Sequence, residues 1–240
     1  MATYQIQIAN RSGTMQEYVI LHEPPEVALF TDTNTTTPVA AFSLPWIKSS
    51  AIPVNGMLQV DLPAHHHAVC GTLSGKKLAA GVVVTQTDDI EVFLATDDDP
   101  GSRAKCDLDD AGKPEMYDRE PDDGVRDGAF GIEMKPYDGD KNSYIWLGYG
   151  KKDLTTGVIV PMASWPSTPD AVFGVTPSLS RWRVGTGQYG VGQAVGGALL
   201  SSFALIDFAT APDGQTVAGV MQGTDGIFRT TFQALSASKD

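Results

Sequence analysis

The chain has 240 residues, of which 42% are hydrophobic and 19% charged, enough apolar side chains for a sizeable core, which excludes intrinsic disorder. Lys+Arg total 17 against 29 Asp+Glu, a formal charge of -12; such a chain repels phosphate, which argues against nucleic acid and anionic membrane surfaces as partners. Its apolar runs fall far short of the roughly 20 residues that cross a bilayer, and Met1-Ala2-Thr3-Tyr4 carries no basic or apolar leader pattern, so a cytoplasmic location is expected.

Alternation of apolar and polar residues dominates from the start. Tyr4, Ile6 and Ile8 point one way with Gln5 and Gln7 between them, Asn10-Arg11-Ser12-Gly13 is a turn cluster, and the pattern resumes from Gln16 to His22. This predicts an opening hairpin that ends at Pro24-Pro25. The sequons Asn10-Arg11-Ser12 and Asn34-Thr35-Thr36 are idle in a cytoplasmic protein. Further strands are expected at 39–44, 57–62, 66–72, 78–85 and 90–95, and then at 129–134, 144–149, 157–162, 171–175, 180–184, 200–208, 217–221 and 227–232. Short strands separated by Gly, Pro and Asn/Asp turns predict an all-β, antiparallel β-sandwich or barrel-like fold. The 25 glycines and 15 prolines work against long helices. Gln188 to Ser202 could be helical, although its glycines weaken that reading.

About half of all acidic residues fall between Asp88 and Asp127. The expected organisation is a single β domain over 1–240, with an N-terminal sheet in 1–95, a long acidic loop over 96–127 and a C-terminal sheet in 128–240. Within the acidic stretch, Asp107-Leu108-Asp109-Asp110-Ala111-Gly112, followed by Asp118, echoes a calcium loop. Ala111 cannot ligate through its side chain, and Asp118 is shorter than the usual Glu, so a solvated loop is the competing reading. Cys70 and Cys106 are too few for a disulfide framework or a cysteine zinc site.

Three of the four histidines form the run His65-His66-His67. In a strand, His65 and His67 share one face about 6.7 Å apart, while His66 faces away. Such a pair can ligate a metal or share a proton-transfer role, with His22 or an Asp completing the set; it can equally be a polar strand edge. Gly185-Thr186-Gly187-Gln188-Tyr189-Gly190 matches the dinucleotide-binding glycine pattern, with Asp207 about 20 residues on. The antiparallel context and the short remaining chain favour a glycine-rich turn instead. The aromatic supply, Tyr144, Trp146, Tyr149, Trp165, Trp182 and Tyr189, is either core filling or the wall of an apolar ligand site, with Arg181 or Arg183 fixing a polar end. No nucleophile elbow, phosphate-binding loop, metalloprotease helix or C-x-x-C is present.

Several segments carry a resemblance: Tyr4-Gln5-Ile6-Gln7-Ile8-Ala9-Asn10-Arg11-Ser12-Gly13, Tyr18 with Pro24-Pro25, Ala68-Val69-Cys70-Gly71-Thr72, Phe130-Gly131-Ile132, Asn142-Ser143-Tyr144-Ile145-Trp146-Leu147-Gly148, and Trp182 to Tyr189. In outline these are similar to a group of small fungal and bacterial β proteins. The chain also resembles the fungal hetero-Diels–Alderases of tropolone–sesquiterpenoid biosynthesis. That resemblance implies dehydration of a tropolone alcohol to an ortho-quinone methide, then cycloaddition with a humulene-type terpene, with no metal or redox cofactor. None of the motifs matches catalytic residues position by position, so none is carried over.

Such chemistry needs a general acid, a fixed mutual pose and exclusion of water. The candidates from the residues themselves are His65, His67 and Tyr149 for acid/base work, and Trp146, Trp182, Tyr189 and Arg183 for holding a small apolar substrate. A homo-oligomer is compatible with this reading. The competing expectation is a non-catalytic ligand-binding module or a self-assembling structural β protein.

Overall fold

The computed structural model describes residues 4–30, 36–75 and 77–235; Asn34 and Thr35 of the second sequon lie outside them. Among the described residues the strands are β1 (Tyr4–Asn10), β2 (Tyr18–His22), β3 (Glu26–Phe30), β4 (Thr36–Val39), β5 (Phe42–Ser43), β6 (Pro45–Lys48), β7 (Met57–Leu62), β8 (His66–Leu73), β9 (Val84–Val92) and β10 (Gly101–Leu108). There follow β11 (Pro114–Asp122), β12 (Phe130–Met134), β13 (Ile145–Lys152), β14 (Ile159–Pro166), β15 (Ala171–Thr176), β16 (Arg181–Thr186), β17 (Ala204–Asp207), β18 (Val217–Gln222) and β19 (Phe228–Gln233). The 188–202 segment yields only a four-residue helix, α1 (Gly197–Leu200), as its glycines favour. Among the described residues no helix is long and apolar enough to cross a membrane.

The strands form four open sheets, ordered β19-β18-β1-β7, β11-β10-β12-β15-β3-β4, β5-β14-β13-β8-β9 and β17-β16-β2-β6. The fold is all-β and sandwich-like, as the alternation predicts. Three local expectations are corrected. The opening hairpin does not form: β1 pairs with β18 and β7, while β2 pairs with β16 and β6. Each sheet mixes strands from both halves of the chain, so there is no N-terminal sheet set against a C-terminal one. Pairing is mostly antiparallel, but β1/β18 and β10/β12 are parallel. Asn10, at the end of β1, is buried and its amide donates to the carbonyls of Thr14 and Ile52, a structural use for a sequon position.

The acidic stretch also departs from expectation. It is mostly the antiparallel pair β10/β11, at one edge of the six-stranded sheet. Some of its charges are matched by neighbouring strands: Lys105 to Glu120 at 2.6 Å, Lys135 to Asp107 at 2.8 Å and Arg103 to Asp122 at 2.8 Å. The tip is a turn. Asp109 Oδ1 accepts from the amides of Ala111 and Lys113, and Gly112 takes φ +79, a left-handed position where glycine carries no steric cost.

One buried cluster draws on all four sheets, from Ile6 and Ile8 on β1 through Tyr18 and Ile20 on β2, Ile132 on β12 and Tyr149 on β13 to Trp182 on β16. Two smaller clusters lie on the outer faces. Trp146 packs with Leu44, Val69 and Val84 on one side, and Val19 and Leu21 pack with Leu200 and Phe203 on another. The glycines of β8 and β13 make room for Trp146. A Cβ on Gly71 would fall 2.8 Å from its ring and one on Gly148 2.6 Å from it, so neither position tolerates a side chain without rearrangement.

Candidate functional site

Strand parity decides where each candidate side chain goes, because successive residues face opposite sides of a sheet. His65 is exposed, and His67, largely covered, lies on the opposite face of β8 from the main core. His65 Nδ1 lies 2.5 Å from Glu91 Oε1 on a largely exposed side chain, and His67 Nδ1 lies 3.1 Å from Asp89 Oδ2. His66 points inward instead, with Nδ1 2.9 Å from the Tyr149 hydroxyl and its ring stacked on the phenol at 5.8 Å. The histidine that meets Tyr149 is therefore His66, not a member of the His65/His67 pair that strand spacing singles out.

Tyr149 is fully buried, and burial raises its hydroxyl well above the ordinary tyrosine range. Around it stand His22 at 5.5 Å and Phe130 at 6.2 Å between ring centroids. His22 contacts Trp182 edge-on at 4.9 Å, and Trp182 contacts Trp46 at 5.2 Å. Two residues beyond Tyr149, Lys151 is also buried and its Nζ donates to the Pro63 carbonyl at 2.6 Å. Burial lowers Lys151 to about 8. It lowers His22 to about 4 and His66 to about 3, with the Lys151 charge adding to both. The backbone of Ser178 and Glu23 partly opposes the His22 shift. Even so, neither His22 nitrogen, nor the indole nitrogens of Trp46 and Trp182, has a partner at hydrogen-bonding geometry. Both histidines are neutral near pH 7, and Tyr149 keeps its proton.

The expected substrate wall is dispersed. Trp146 lies on the opposite face of β13 from Tyr149, and its indole donates to the Thr72 carbonyl at 3.1 Å. Trp182 is enclosed in the main core. Arg183, its strand neighbour, faces the other way, paired with Glu23 at 2.6 Å and donating to the Leu200 carbonyl. Tyr189 packs edge-on against Phe203, in the small cluster on that same outer side. The glycine pattern at 185–190 runs from the end of β16 into an irregular bend and opens no helix. A dry, ring-lined hollow beside the histidines is not what these residues build.

The calcium reading is corrected as well. Asp107 is held by Lys135, Asp118 lies beside Lys105, and Asp109 is spent on the turn amides. Among the described residues no group of three or more His, Cys, Asp or Glu side chains is poised for a metal ion.

Open space lies elsewhere. A cleft of about 500 Å³ runs over the outer face of β3, β4 and β15 and is closed on one side by Gly124, Val125 and Arg126. Its walls include Ala28, Pro38, Val39 and Val125, with Phe30 lying over Gly174, whose added Cβ would sit 2.6 Å from the Phe30 ring. Phe30 is 40% exposed. At the rim, Arg126 bridges Glu26 at 2.5 Å and Thr176 at 2.9 Å. A mostly apolar cleft with one guanidinium at its edge suits a small apolar molecule bearing one anionic or polar end. No single motif announces it: it draws on the neighbouring segments 25–30 and 36–39 together with 124–129 and 174–176, about 90 and 140 residues further on.

Compared with known proteins, the chain matches no family model, no curated protein and no solved structure.

Proposed function

We propose that this chain is a non-catalytic binding module that holds one small apolar molecule in the cleft beside Phe30. The observation that carries this reading is the pairing of an open, mostly apolar cleft with a half-exposed ring at its wall, while the indoles of Trp46, Trp146, Trp165 and Trp182 are packed away. A large apolar ring left in contact with water inside a concavity marks a contact surface. The polar rim of Arg126, Glu26 and Thr176 would fix the orientation of a ligand with a single polar end. Titration with 1-anilinonaphthalene-8-sulfonate, an apolar probe with one anionic end, tests this. Saturable binding that Phe30→Ala weakens supports the reading; binding that is non-saturable or indifferent to Phe30 overturns it.

A second reading rests on the His66–Tyr149 contact. Here the chain is a cofactor-independent enzyme of the hetero-Diels–Alderase kind. The Tyr149 hydroxyl, hydrogen-bonded to His66, would serve as the acid that assists loss of water from a tropolone alcohol. Its test is turnover of such an alcohol with a humulene-type terpene. Product formed above the uncatalysed rate, and lost in Tyr149→Phe, would favour this reading over simple binding.

A further inference from the structure

The chain contains only two cysteines, and the fold brings them together. Cys70 lies on β8 of the five-stranded sheet and Cys106 on β10 of the six-stranded sheet. Both are fully buried in the same cluster between those sheets. Their strand partners are joined directly: Asp88 pairs with Cys70 and Met116 with Cys106, and the Met116 amide donates to Asp88 Oδ2 at 2.9 Å. One position along, Thr87 Oγ1 donates to the Pro114 carbonyl at 2.5 Å. Strand parity turns both thiols into that cluster, Cys70 on the same side of β8 as Ala68 and Cys106 on the same side of β10 as Ala104. The polar contacts of the two sulfurs are long: Cys70 Sγ lies 3.8 Å from Thr87 Oγ1 and from the Asp88 carbonyl, and Cys106 Sγ lies 3.9 Å from the Asp107 carbonyl.

We infer that Cys70 and Cys106 form a dithiol that closes to an intramolecular disulfide, a covalent staple between the two sheets, when a small-molecule disulfide such as oxidised glutathione is present. One cysteine, as its thiolate after losing a proton to solvent, attacks the small disulfide, expelling one glutathione thiolate and leaving a mixed disulfide. The second cysteine, likewise deprotonated, attacks the protein sulfur of that bond and expels the second glutathione. Two protein thiols are oxidised, one small disulfide is reduced to two thiols, and no other reactant is needed. In the native fold the pair is shielded, and the contact with Cys70 together with burial pushes the Cys106 thiol up, so it is a poor nucleophile while buried. Access requires folding in the presence of the oxidant, or lifting of β11, the edge strand that carries Met116 over Cys106.

The experiment is refolding of the full chain with oxidised glutathione, followed by denaturing thiol titration and non-reducing peptide mapping. The expected result is no free thiol, a mass lower by two hydrogens, and a peptide bearing Cys70 linked to one bearing Cys106. The oxidised protein should melt on the order of 5–10 °C higher, because the staple closes a loop of roughly 35 residues, and dithiothreitol should reverse the gain. Cys70→Ser and Cys106→Ala should each leave one thiol that takes up glutathione without forming the link. Two free thiols after refolding, two separate glutathione adducts or links between chains would each overturn the inference, and each is read on wild-type protein even if a variant fails to fold.

Discussion

Phe30 and Tyr149 are rings of similar size put to opposite uses. Tyr149 has no exposed surface and sits among His22, His66 and Phe130, where folding has consumed its faces. Phe30 rests one face on Gly174 and leaves 40% of itself open in a cleft rimmed by Arg126. An aromatic side chain near a polar group is therefore not by itself a site. What counts is whether the ring is still free after the core has been packed, and Phe30, unlike Tyr149, lies on an outer sheet face, not between the layers.

That contrast can be broken from either end. The largest effect belongs to the interior: Trp182→Ala should lose about 3–5 kcal/mol of unfolding free energy in denaturant titration, as expected for deleting a fully buried indole. A loss below about 1 kcal/mol would mean that the ring pile is looser than described. Next comes pH. Burial holds His22 at about 4, below its usual 6.5, so its contribution is fully present above pH 6.5 and is lost as pH falls toward 4. The loss amounts to about 3 kcal/mol. Unfolding curves of His22→Leu should lack that part of the acid limb; an unchanged acid limb would place the proton uptake elsewhere.

Smaller effects belong to the cleft. Phe30→Ala should weaken apolar-probe binding roughly tenfold or more, in line with the transfer value of one ring, while changing the melting temperature far less than Trp182→Ala does. Equal damage to fold and binding would make Phe30 a core residue. The smallest effect is expected for Arg126→Ala. Its ion pair with Glu26 is exposed and adds little to stability, so calorimetry should show a near-unchanged transition, with weaker binding only for probes carrying an anionic end.

The all-β class and most strand positions are legible in short apolar runs and in alternation such as that of β1, although β2, β8 and β13 are buried on both faces. Sheet membership is not. Nothing local to 4–22 distinguishes a hairpin from two strands recruited by β18 and β16, roughly 200 and 160 residues away. The charge of the acidic stretch suggests a loop only while its partners are left out; Lys105, Lys135 and Arg103 meet Glu120, Asp107 and Asp122 only once the strands pair. Parity separates Trp146 from Tyr149 and His66 from His65 and His67, but β8 and β13 are buried on both faces, so parity does not say which side meets the main core. The cleft at Phe30 carries no such signal, since its walls come from 25–30, 36–39, 124–129 and 174–176.

The most direct measurement of the central claim is a two-dimensional amide NMR titration of the intact chain with 1-anilinonaphthalene-8-sulfonate. The account predicts saturating shifts at residues 25–30, 36–39, 124–129 and 174–176, with the amides of His66, Tyr149 and Trp182 unmoved. Shifts centred on those three residues, or none at the cleft, would contradict it.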